Sequence, residues 1–490
     1  MDIILKRRIT LIFTGIIISI AFLFCTANYP LICFAAVSSL LILLISLYFK
    51  EKVFFAFVFL YPLIPRYFAF DLGGAMPLIT VGRLLIIYVF IFDLVFNRDK
   101  FRKTKKILFS KDLKIALYSI AFLVFTFMLN YFTYPNVESF KIFISFLLEN
   151  VLVGVYFFLR AGSCKDVEKA VKCLLFASFI IAMTGIIEFT LRVNVFSFLD
   201  IVKTNRQLLS SDVYSRLGEN RIEGPFGHPL AYCNFLLMVI PMGIYEWQIS
   251  KEIKVKTAYF FITLVLLMNF FLTLSRGPML ALIIGMLFYF ILTNKRSKQI
   301  IFLLAITFSG VLLIGIIAGA VPSFVKNFLL SLLDSILMRN SVSGFGDNAN
   351  ASLYRLYLFD LAKKLVSDNY IWLGRGLSFF RMNEVYDWVP GISNTREIRI
   401  VSVDNYYILK YIEMGLTGII STLIFIFSLI YLCIVNFTKT ENKEFMLCFL
   451  FIFISYFISL FTVDEIGTFK FIWIITGMVT AKMSLNQVVK

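Results

Sequence analysis

Two arginine residues set beside glycine and proline are the side chains best suited to chemistry in this chain. Arg221 opens the segment Arg221-Ile-Glu-Gly-Pro-Phe-Gly-His-Pro229, and Arg276 lies in Leu272-Thr-Leu-Ser-Arg-Gly-Pro278. Such glycines and prolines force a tight backbone that exposes amide groups where a helix begins. A guanidinium group beside them binds phosphate oxygens in bidentate fashion. Each segment therefore indicates an anion site; the alternative is a turn whose arginine only anchors the chain at a membrane surface.

His228 is the only histidine of the chain and lies in the first of these segments. It is a candidate substrate-binding residue, and its ring could act as an interfacial hydrogen-bonding group or as a base. With a single histidine and no clustered cysteines, a nitrogen- or sulfur-rich metal site is not expected. We predict neither a metal nor another cofactor.

Two further arginines lie closer to the C-terminus. Arg355 follows Ser352-Leu-Tyr354 on a predicted amphipathic helix, 354–366, and Arg375 lies in the glycine-flanked turn Trp372-Leu-Gly-Arg-Gly-Leu-Ser378. Both are candidates to bind an anionic substrate, since guanidinium groups suit phosphate.

Carboxylates follow at Asp404 and Glu413. Asp404 and Asn405 precede an aromatic-rich helix, and Glu413 lies two to three turns beyond. Aspartate is a preferred N-cap residue, so Asp404 either only caps this helix or caps it and also supplies a reactive carboxylate. Asn405 and Glu413 are candidate substrate-binding residues.

The elements that position these residues are membrane helices. The chain is 60% hydrophobic and only 16% charged, and its mean hydropathy is +0.87. This composition excludes a water-soluble domain and predicts an all-α, polytopic integral membrane protein with about 12 to 14 transmembrane helices. The apolar runs fall near residues 9–27, 31–49, 53–65, 79–96, 115–133, 141–159, 171–191, 230–248, 257–274, 278–293, 299–320, 406–436, 445–462 and 467–483.

The distribution of lysine and arginine predicts the orientation of these helices. Short basic loops such as 98–114, 251–256 and 439–443 alternate with short loops that are nearly free of basic residues. By the positive-inside rule the basic loops and both termini are cytoplasmic. The candidate site residues named above then share the outer face.

Three regions follow from this topology. Residues 1–320 hold transmembrane helices and an outer loop at about 192–229, residues 321–404 form one long extracytoplasmic loop, and residues 405–490 hold the C-terminal transmembrane helices. Long loops cross the membrane whatever their charge, so the basic residues of these two loops do not conflict with the predicted topology. We interpret them as a sign of an anionic ligand. A lipid diphosphate presents its charge at this boundary, and a carboxylate or imidazole there could take a proton from an attacking hydroxyl.

In order along the chain, these motifs resemble the O-antigen ligase/polymerase superfamily of bacterial membrane glycosyltransferases. The resemblance covers residues 180–480 and lies in Gly-Pro-Phe-Gly-His-Pro, Thr-Leu-Ser-Arg-Gly, Ser-Leu-Tyr-Arg, Leu-Gly-Arg-Gly-Leu-Ser-Phe and Asp-Asn-Tyr-Tyr-Ile-Leu with Glu-Met-Gly-Leu-Thr-Gly. It implies a GT-C-like enzyme of the bacterial inner membrane whose active site faces outward. The implied donor is an undecaprenyl-diphosphate-linked oligosaccharide, and the acceptor is another glycan or lipid-linked glycan.

The resemblance also implies roles for particular residues. Arg221 and Arg276 would hold the diphosphate, supported by Arg355 or Arg375. The family often has histidine before the asparagine that matches Asn405, whereas this chain has Asp404. We expect a metal-independent, inverting transfer in which Asp404 assists deprotonation of the acceptor hydroxyl.

Other functions remain open at this stage. A lipid-linked oligosaccharide flippase or other transporter would also be polytopic, although transporters usually place polar residues on broken helices near the bilayer midplane. A structural or sensory protein and a peptidoglycan polymerase with an essential outer-loop aspartate are further alternatives. The sequence does not separate a polymerase from a ligase. We expect the bilayer, and a chain-length regulator in the case of a polymerase, as partners, and no nucleic acid.

Overall fold

The computed structural model describes most of the helical part of the chain. The described residues are 46–70, 77–98, 111–200, 215–216, 219–293, 298–299, 330, 348–389, 397–400, 403–439, 443–464 and 467–488. The predicted span 9–27, nearly all of 299–320 and most of 31–49 lie outside these residues, as does most of 321–347.

Helices dominate the described residues, with three two-stranded antiparallel ladders between them. A π-helical segment, Leu147–Val151, interrupts the fourth helix. The helices are Val53–Leu60 (α1), Val81–Phe96 (α2), Lys111–Thr133 (α3), Val137–Arg160 (α4), Cys164–Leu191 (α5), Pro229–Ile249 (α6), Ile253–Leu272 (α7), Arg276–Leu292 (α8), Asn348–Leu365 (α9), Phe379–Met382 (α10), Tyr406–Lys439 (α11), Lys443–Ser459 (α12) and Phe469–Val488 (α13). The ladders pair Ala69–Phe70 (β1) with Ile79–Thr80 (β2), Ser215–Arg216 (β3) with Glu219–Asn220 (β4), and Val385–Asp387 (β5) with Ile398–Ile400 (β6).

Every predicted span that falls within the described residues coincides with a helix. Six of these helices, α3 to α7 and α11, are long and apolar enough to cross a bilayer, while α1 and α8 are shorter apolar helices. The prediction of a polytopic helical membrane protein is confirmed.

Helix α6 lies at the centre of the bundle. It packs against α7 and α12, and 94% of the residues in its most apolar stretch are buried. A membrane helix that is apolar on every side is expected where other helices surround it. The Arg221–His228 segment, which leads into α6, is therefore carried to the middle of one end of the bundle.

A small second hydrophobic core lies between α9 and the start of α11. Helix α9 contributes Leu358 and Leu361, which pack with Val389 and with Ile408 and Ile412 at the start of α11. The loop is thereby seated on the first turns of α11, so the end of the loop and the beginning of that helix form one packed unit.

A buried ionic cluster lies on the opposite end of the bundle. Asp93 accepts hydrogen bonds from Arg160 Nε (2.6 Å) and from the hydroxyl of Tyr156 (2.8 Å), and Asp93 and Arg160 are almost fully buried. The pair joins α2 to α4. Burying both charges is tolerable because each has a partner of opposite sign.

Candidate functional site

Arg221 joins the first two motifs, which lie more than fifty residues apart in the chain. Its Nε donates to the carbonyl oxygen of Thr273 and its Nη2 donates to Ser275 Oγ, each at 2.8 Å. Leu274, between these two residues, adopts a left-handed conformation with φ 48°. Such a conformation is costly for a residue with a side chain and persists where its surroundings hold it. Arg221 therefore clamps the turn from which Arg276 begins helix α8.

Glu188 occupies part of the backbone that the sequence indicated as an anion site. Its two carboxylate oxygens accept hydrogen bonds from the amides of Glu223 (3.0 Å) and Gly224 (2.9 Å). Gly224 and Gly227 have φ of 52° and 70°, which explains why glycine stands at both positions. The expected amide cradle thus forms, but two of its amides bind a carboxylate of the protein itself.

His228 is the N-cap of α6. Its Nδ1 accepts a hydrogen bond from the amide of Leu230 at 3.1 Å, and Pro229 occupies the first helical position. Proline suits this position because its missing N–H would have no helical partner. This contact gives His228 a structural role at the centre of the site and fixes the orientation of its ring.

The turn Leu460–Thr462, which follows α12, connects the second motif to the last one. Gly277 lies so close to Thr462 that a Cβ there would overlap the threonine hydroxyl. On the other side, Asn405 Nδ2 donates to the carbonyl of Phe461 at 3.1 Å. The amide of Tyr406 donates to the carbonyl of Leu460 at 3.0 Å. Arg276 and Asp404 are therefore carried by segments that pack on the same turn.

Asn405, and not Asp404, caps helix α11. Its Oδ1 accepts hydrogen bonds from the amides of Tyr407 (3.0 Å) and Ile408 (3.1 Å). The prediction that Asp404 caps this helix is wrong by one residue, because the asparagine side chain reaches the same amides. Asp404, the residue before this cap, is exposed.

Asp404 instead lies in the electrostatic field of Arg355 and Tyr354. Burial lowers the pKa of Arg355 below its ordinary value, and the neighbouring Asp404 opposes that effect. Burial, with a smaller contribution from Asp404, raises the pKa of Tyr354 to about 12. The structure thus brings the arginine of α9 near the carboxylate before α11, while its predicted support of a bound diphosphate stays a prediction.

Helix α11 is broken at Gly415, and the turn that carries Arg375 is docked into the break. Gly415 has φ 63° and ψ −155°. The amides of Arg375 and Gly376 donate to the carbonyls of Ile412 (2.8 Å) and Glu413 (2.9 Å). In return, the amides that follow the break, at residues 416 and 417, donate to carbonyls at residues 371 and 372 at 2.7 and 3.1 Å. The loop therefore replaces the helical hydrogen bonds that the break removes.

The side chain of Arg375 serves this docking. Its Nε donates to the carbonyl of Leu365, the last residue of α9, at 2.6 Å, and its guanidinium lies 3.8 Å from the ring centroid of Tyr370. An arginine that caps a helix C-terminus in this way stabilises the last carbonyl groups. Arg375 thus holds α9 against the broken helix.

Glu413 is buried inside the protein. Its carboxylate pairs with Lys410 Nζ at 2.8 Å, and both side chains are about one-tenth exposed. The predicted substrate contact stays a prediction, while the ion pair shows a structural role just before the break at Gly415.

Asn130 is a site residue that the sequence did not indicate. Its Nδ2 donates to the carbonyls of Leu373 (2.7 Å) and Glu413 (3.0 Å), and its Oδ1 accepts from the amide of Leu377 (3.0 Å). One amide side chain near the end of α3 thus ties the Arg375 turn to α11. A polar residue inside an apolar span was the available signal.

These contacts define a polytopic helical membrane protein whose polar loops and helix ends assemble one site at one end of the bundle. Residues 261–423, a third of the chain, match the model of the O-Antigen ligase family. The match spans Arg276, Arg355, Arg375, Asp404 and Asn405, and confirms the O-antigen ligase/polymerase superfamily over these residues. A role of this type in polysaccharide assembly is thereby supported. No curated protein matches the chain.

Proposed function

We propose that this protein is a membrane glycosyltransferase of surface-polysaccharide assembly, working on the outer face of the bacterial cytoplasmic membrane. It takes a glycan from undecaprenyl diphosphate and transfers it to an acceptor hydroxyl. The observation that carries this proposal is the turn Leu460–Thr462, on which the Arg276 segment and the Asp404–Asn405 segment both pack. The segments that carry these cationic and carboxylate groups therefore meet at one turn.

The arginines bind and stabilise the leaving group. Arg276, at the start of α8, and Arg221, clamped to the same turn, hold the two phosphates of the donor. As the bond between the anomeric carbon and the phosphate oxygen breaks, its electron pair moves to the diphosphate, and the two guanidinium groups stabilise the added charge. Arg355 and Arg375 support this region from the outer loop, and His228 orients the substrate from the entrance of α6.

Asp404 acts on the acceptor. The acceptor hydroxyl oxygen forms a bond to the anomeric carbon on the face opposite the departing diphosphate, and its proton passes to the Asp404 carboxylate. A single displacement of this kind inverts the anomeric configuration and needs no metal. Asn405 fixes the backbone that carries Asp404, and Glu413 contributes through its pair with Lys410.

A lipid-linked oligosaccharide flippase is the second candidate, and the break at Gly415 favours it. Transporters use broken helices to line a central path. Here, however, backbone from residues 371–376 fills the break, so the exposed amides and carbonyls are bound by protein. We therefore favour the enzyme.

The deciding experiment uses purified protein in lipid nanodiscs and one lipid-linked repeat unit. A ladder of longer glycans identifies a polymerase. Transfer that begins only when a second acceptor is added identifies a ligase. We expect Arg276→Ala to abolish either product, while Arg399→Ala, an exposed arginine of the outer loop paired with Glu384, leaves it unchanged. Full transfer by Arg276→Ala, or transbilayer movement of the lipid without any transfer, would contradict the proposal.

A further inference from the structure

Two adjoining cavities lie on the site side of the bundle, between the beginnings of α2 and α13. Both open to solvent, and the empty space of about 250 and 240 Å³ within them includes that open solvent. Both are lined by Ile64, Arg66 and Lys470. One extends to Pro225 and Phe226 of the first motif. The other extends to Thr80, Gly82, Arg83 and Glu149. Neither Arg221 nor Arg276 is among the lining residues.

Three cations and one carboxylate face this space. Arg83 Nε pairs with Glu149 Oε1 at 2.5 Å, and Arg83 Nη2 donates to Ser145 Oγ at 2.7 Å. The side chains of Arg83 and Glu149 are only 12% and 15% exposed. Glu149 also lies within electrostatic reach of Lys470 and Arg66. Glu149 balances one of the three positive charges, so the group carries a net charge of +2.

Arg66 and Lys470 carry this excess. Within the described part of the chain, neither makes a hydrogen bond or an ion pair with a carboxylate. Lys470 Nζ lies 4.9 and 5.3 Å from the ring centroids of Tyr61 and Phe471. Arg66 packs on Gly467, where φ is 73° and a Cβ would lie 2.7 Å from its Nη1. Both cations are held in place, and a ligand anion would neutralise them.

Helix geometry adds to the positive potential. Helix α2 begins at Val81, and α13 begins at Phe469, so the first turns of two helices line the cavities. A helix N-terminus carries about half a positive charge and favours bound anions. Two such termini with Arg66 and Lys470 suit a ligand with at least two negative charges.

We propose that these cavities form a second binding site for a lipid diphosphate, apart from the site of Arg221 and Arg276. The cations bind the phosphates, and the rings of Tyr61, Phe226 and Phe471 flank the first isoprene units. The identity of the lipid rests on the proposed function; the anion site does not. Joining two lipid-linked repeat units requires two lipid diphosphates, so a second site favours a polymerase over a ligase.

The test is a binding titration of the full chain in nanodiscs by calorimetry, with farnesyl diphosphate and inorganic pyrophosphate as separate probes. We expect two farnesyl diphosphates per wild-type chain. Lys470→Gln and Arg66→Gln should each weaken one of these two binding events by roughly 10-fold or more, while Arg276→Ala weakens the other. Lys363→Gln, which removes an exposed charge from the outer loop, should leave both unchanged.

Several outcomes would overturn the second site. One binding event, lost alike in Lys470→Gln and Arg276→Ala, means a single shared site, and equal weakening by Lys363→Gln means unspecific attraction. Pyrophosphate bound as tightly as farnesyl diphosphate means a free-phosphate site without lipid recognition. Arg66 is exposed, so its variant should fold even if Lys470→Gln does not. Normal transfer by Arg276→Ala contradicts the proposed function but leaves two-site binding standing.

Discussion

Asp404 and Asn405 divide two tasks between neighbouring side chains. Asn405 caps α11, and the exposed Asp404 carboxylate lies near Arg355. If Asp404 takes the acceptor proton, Asp404→Asn should lower turnover about 100-fold or more, because general-base catalysis contributes roughly 10² to 10⁴. Initial rates of glycan transfer, measured against donor concentration, check this, and the KM for the donor should change little.

Asp360→Asn is the matched control for this prediction. Asp360 is exposed on α9, on the same face of the membrane, and its ion pair with Lys363 is long and solvent-exposed. Exposed pairs of this kind contribute little to stability, so this variant should transfer at the wild-type rate. Equal rates for both variants would remove Asp404 from the mechanism.

At the residue scale, the sequence could indicate candidate side chains but not their partners. Arg221 and Arg276 were recognisable because glycine and proline surround them. Arg66 and Lys470 were missed although each is a basic residue near the outer end of a predicted span, against the positive-inside trend. Their grouping depends on how α2 and α13 pack, and no local pattern encodes that packing.

Among the elements, the break in α11 makes a sharp prediction at Gly415. A Cβ there would lie 2.5 Å from the carbonyl oxygen of Ile371 and from the carbonyl carbon of Trp372, and φ is 63°. This backbone conformation, which is essentially restricted to glycine, costs a residue with a side chain about 1 to 3 kcal/mol. Gly415→Ala should therefore destabilise the protein by at least about 2 kcal/mol and separate the Arg375 turn from α11. Thermal unfolding in detergent measures this loss.

Gly162→Ala is the control for the break. Gly162 lies between α4 and α5, its φ is not left-handed, and the nearest atom to an added Cβ is an Asp166 oxygen at 3.7 Å. This variant should unfold at the wild-type temperature. If Gly415→Ala unfolds no earlier than Gly162→Ala, the backbone docking of residues 371–376 is not a stabilising feature.

The packing of α9 against β5 should lose stability in acid because of Asp387. Burial alone would raise the pKa of Asp387, but hydrogen bonds from Lys364, Tyr357 and the Trp388 amide outweigh it and lower that pKa below its ordinary value. A lowered folded-state pKa means that the contribution is fully present above the unfolded pKa of about 3.9. It is lost as pH falls through the folded value. Hydrogen exchange of residues 354–366, corrected for intrinsic rates, should therefore speed up between pH 5 and pH 3.

Asp387→Asn should remove most of this pH dependence. The asparagine keeps the shape of the side chain but has no proton to gain in this range, so exchange should be fast at both values. If wild-type exchange does not change with pH, the contacts of Asp387 do not hold the loop.

The positions of the helices were predictable because a bilayer crossing requires an apolar run about 20 residues long. The break at Gly415 was not, since Met414-Gly-Leu-Thr-Gly418 continues the apolar run without a charge or proline. Its left-handed backbone is set by residues 371–376, which lie distant in sequence. The small core between α9 and α11 was missed for the same reason.

For the molecule as a whole, the predicted orientation can be tested by chemical labelling. Lys363 lies on the outer loop, and Lys251 lies in the short loop between α6 and α7 that the positive-inside rule places in the cytoplasm. A membrane-impermeant maleimide added to whole cells should label Lys363→Cys strongly and Lys251→Cys only after the membrane is opened. The wild-type chain gives the background from its native cysteines. The reverse pattern would invert the topology and place the site on the wrong side.

The turn Leu460–Thr462 also bears on how substrates arrive. Gly277 and Asn405 both pack against it, so folding brings together the segments that the proposed function assigns to phosphate binding and to proton acceptance. The entropic cost of bringing these segments together arises once, during folding, and does not recur in each catalytic cycle. In the proposed function, a donor that enters sideways from the bilayer meets both segments already in place.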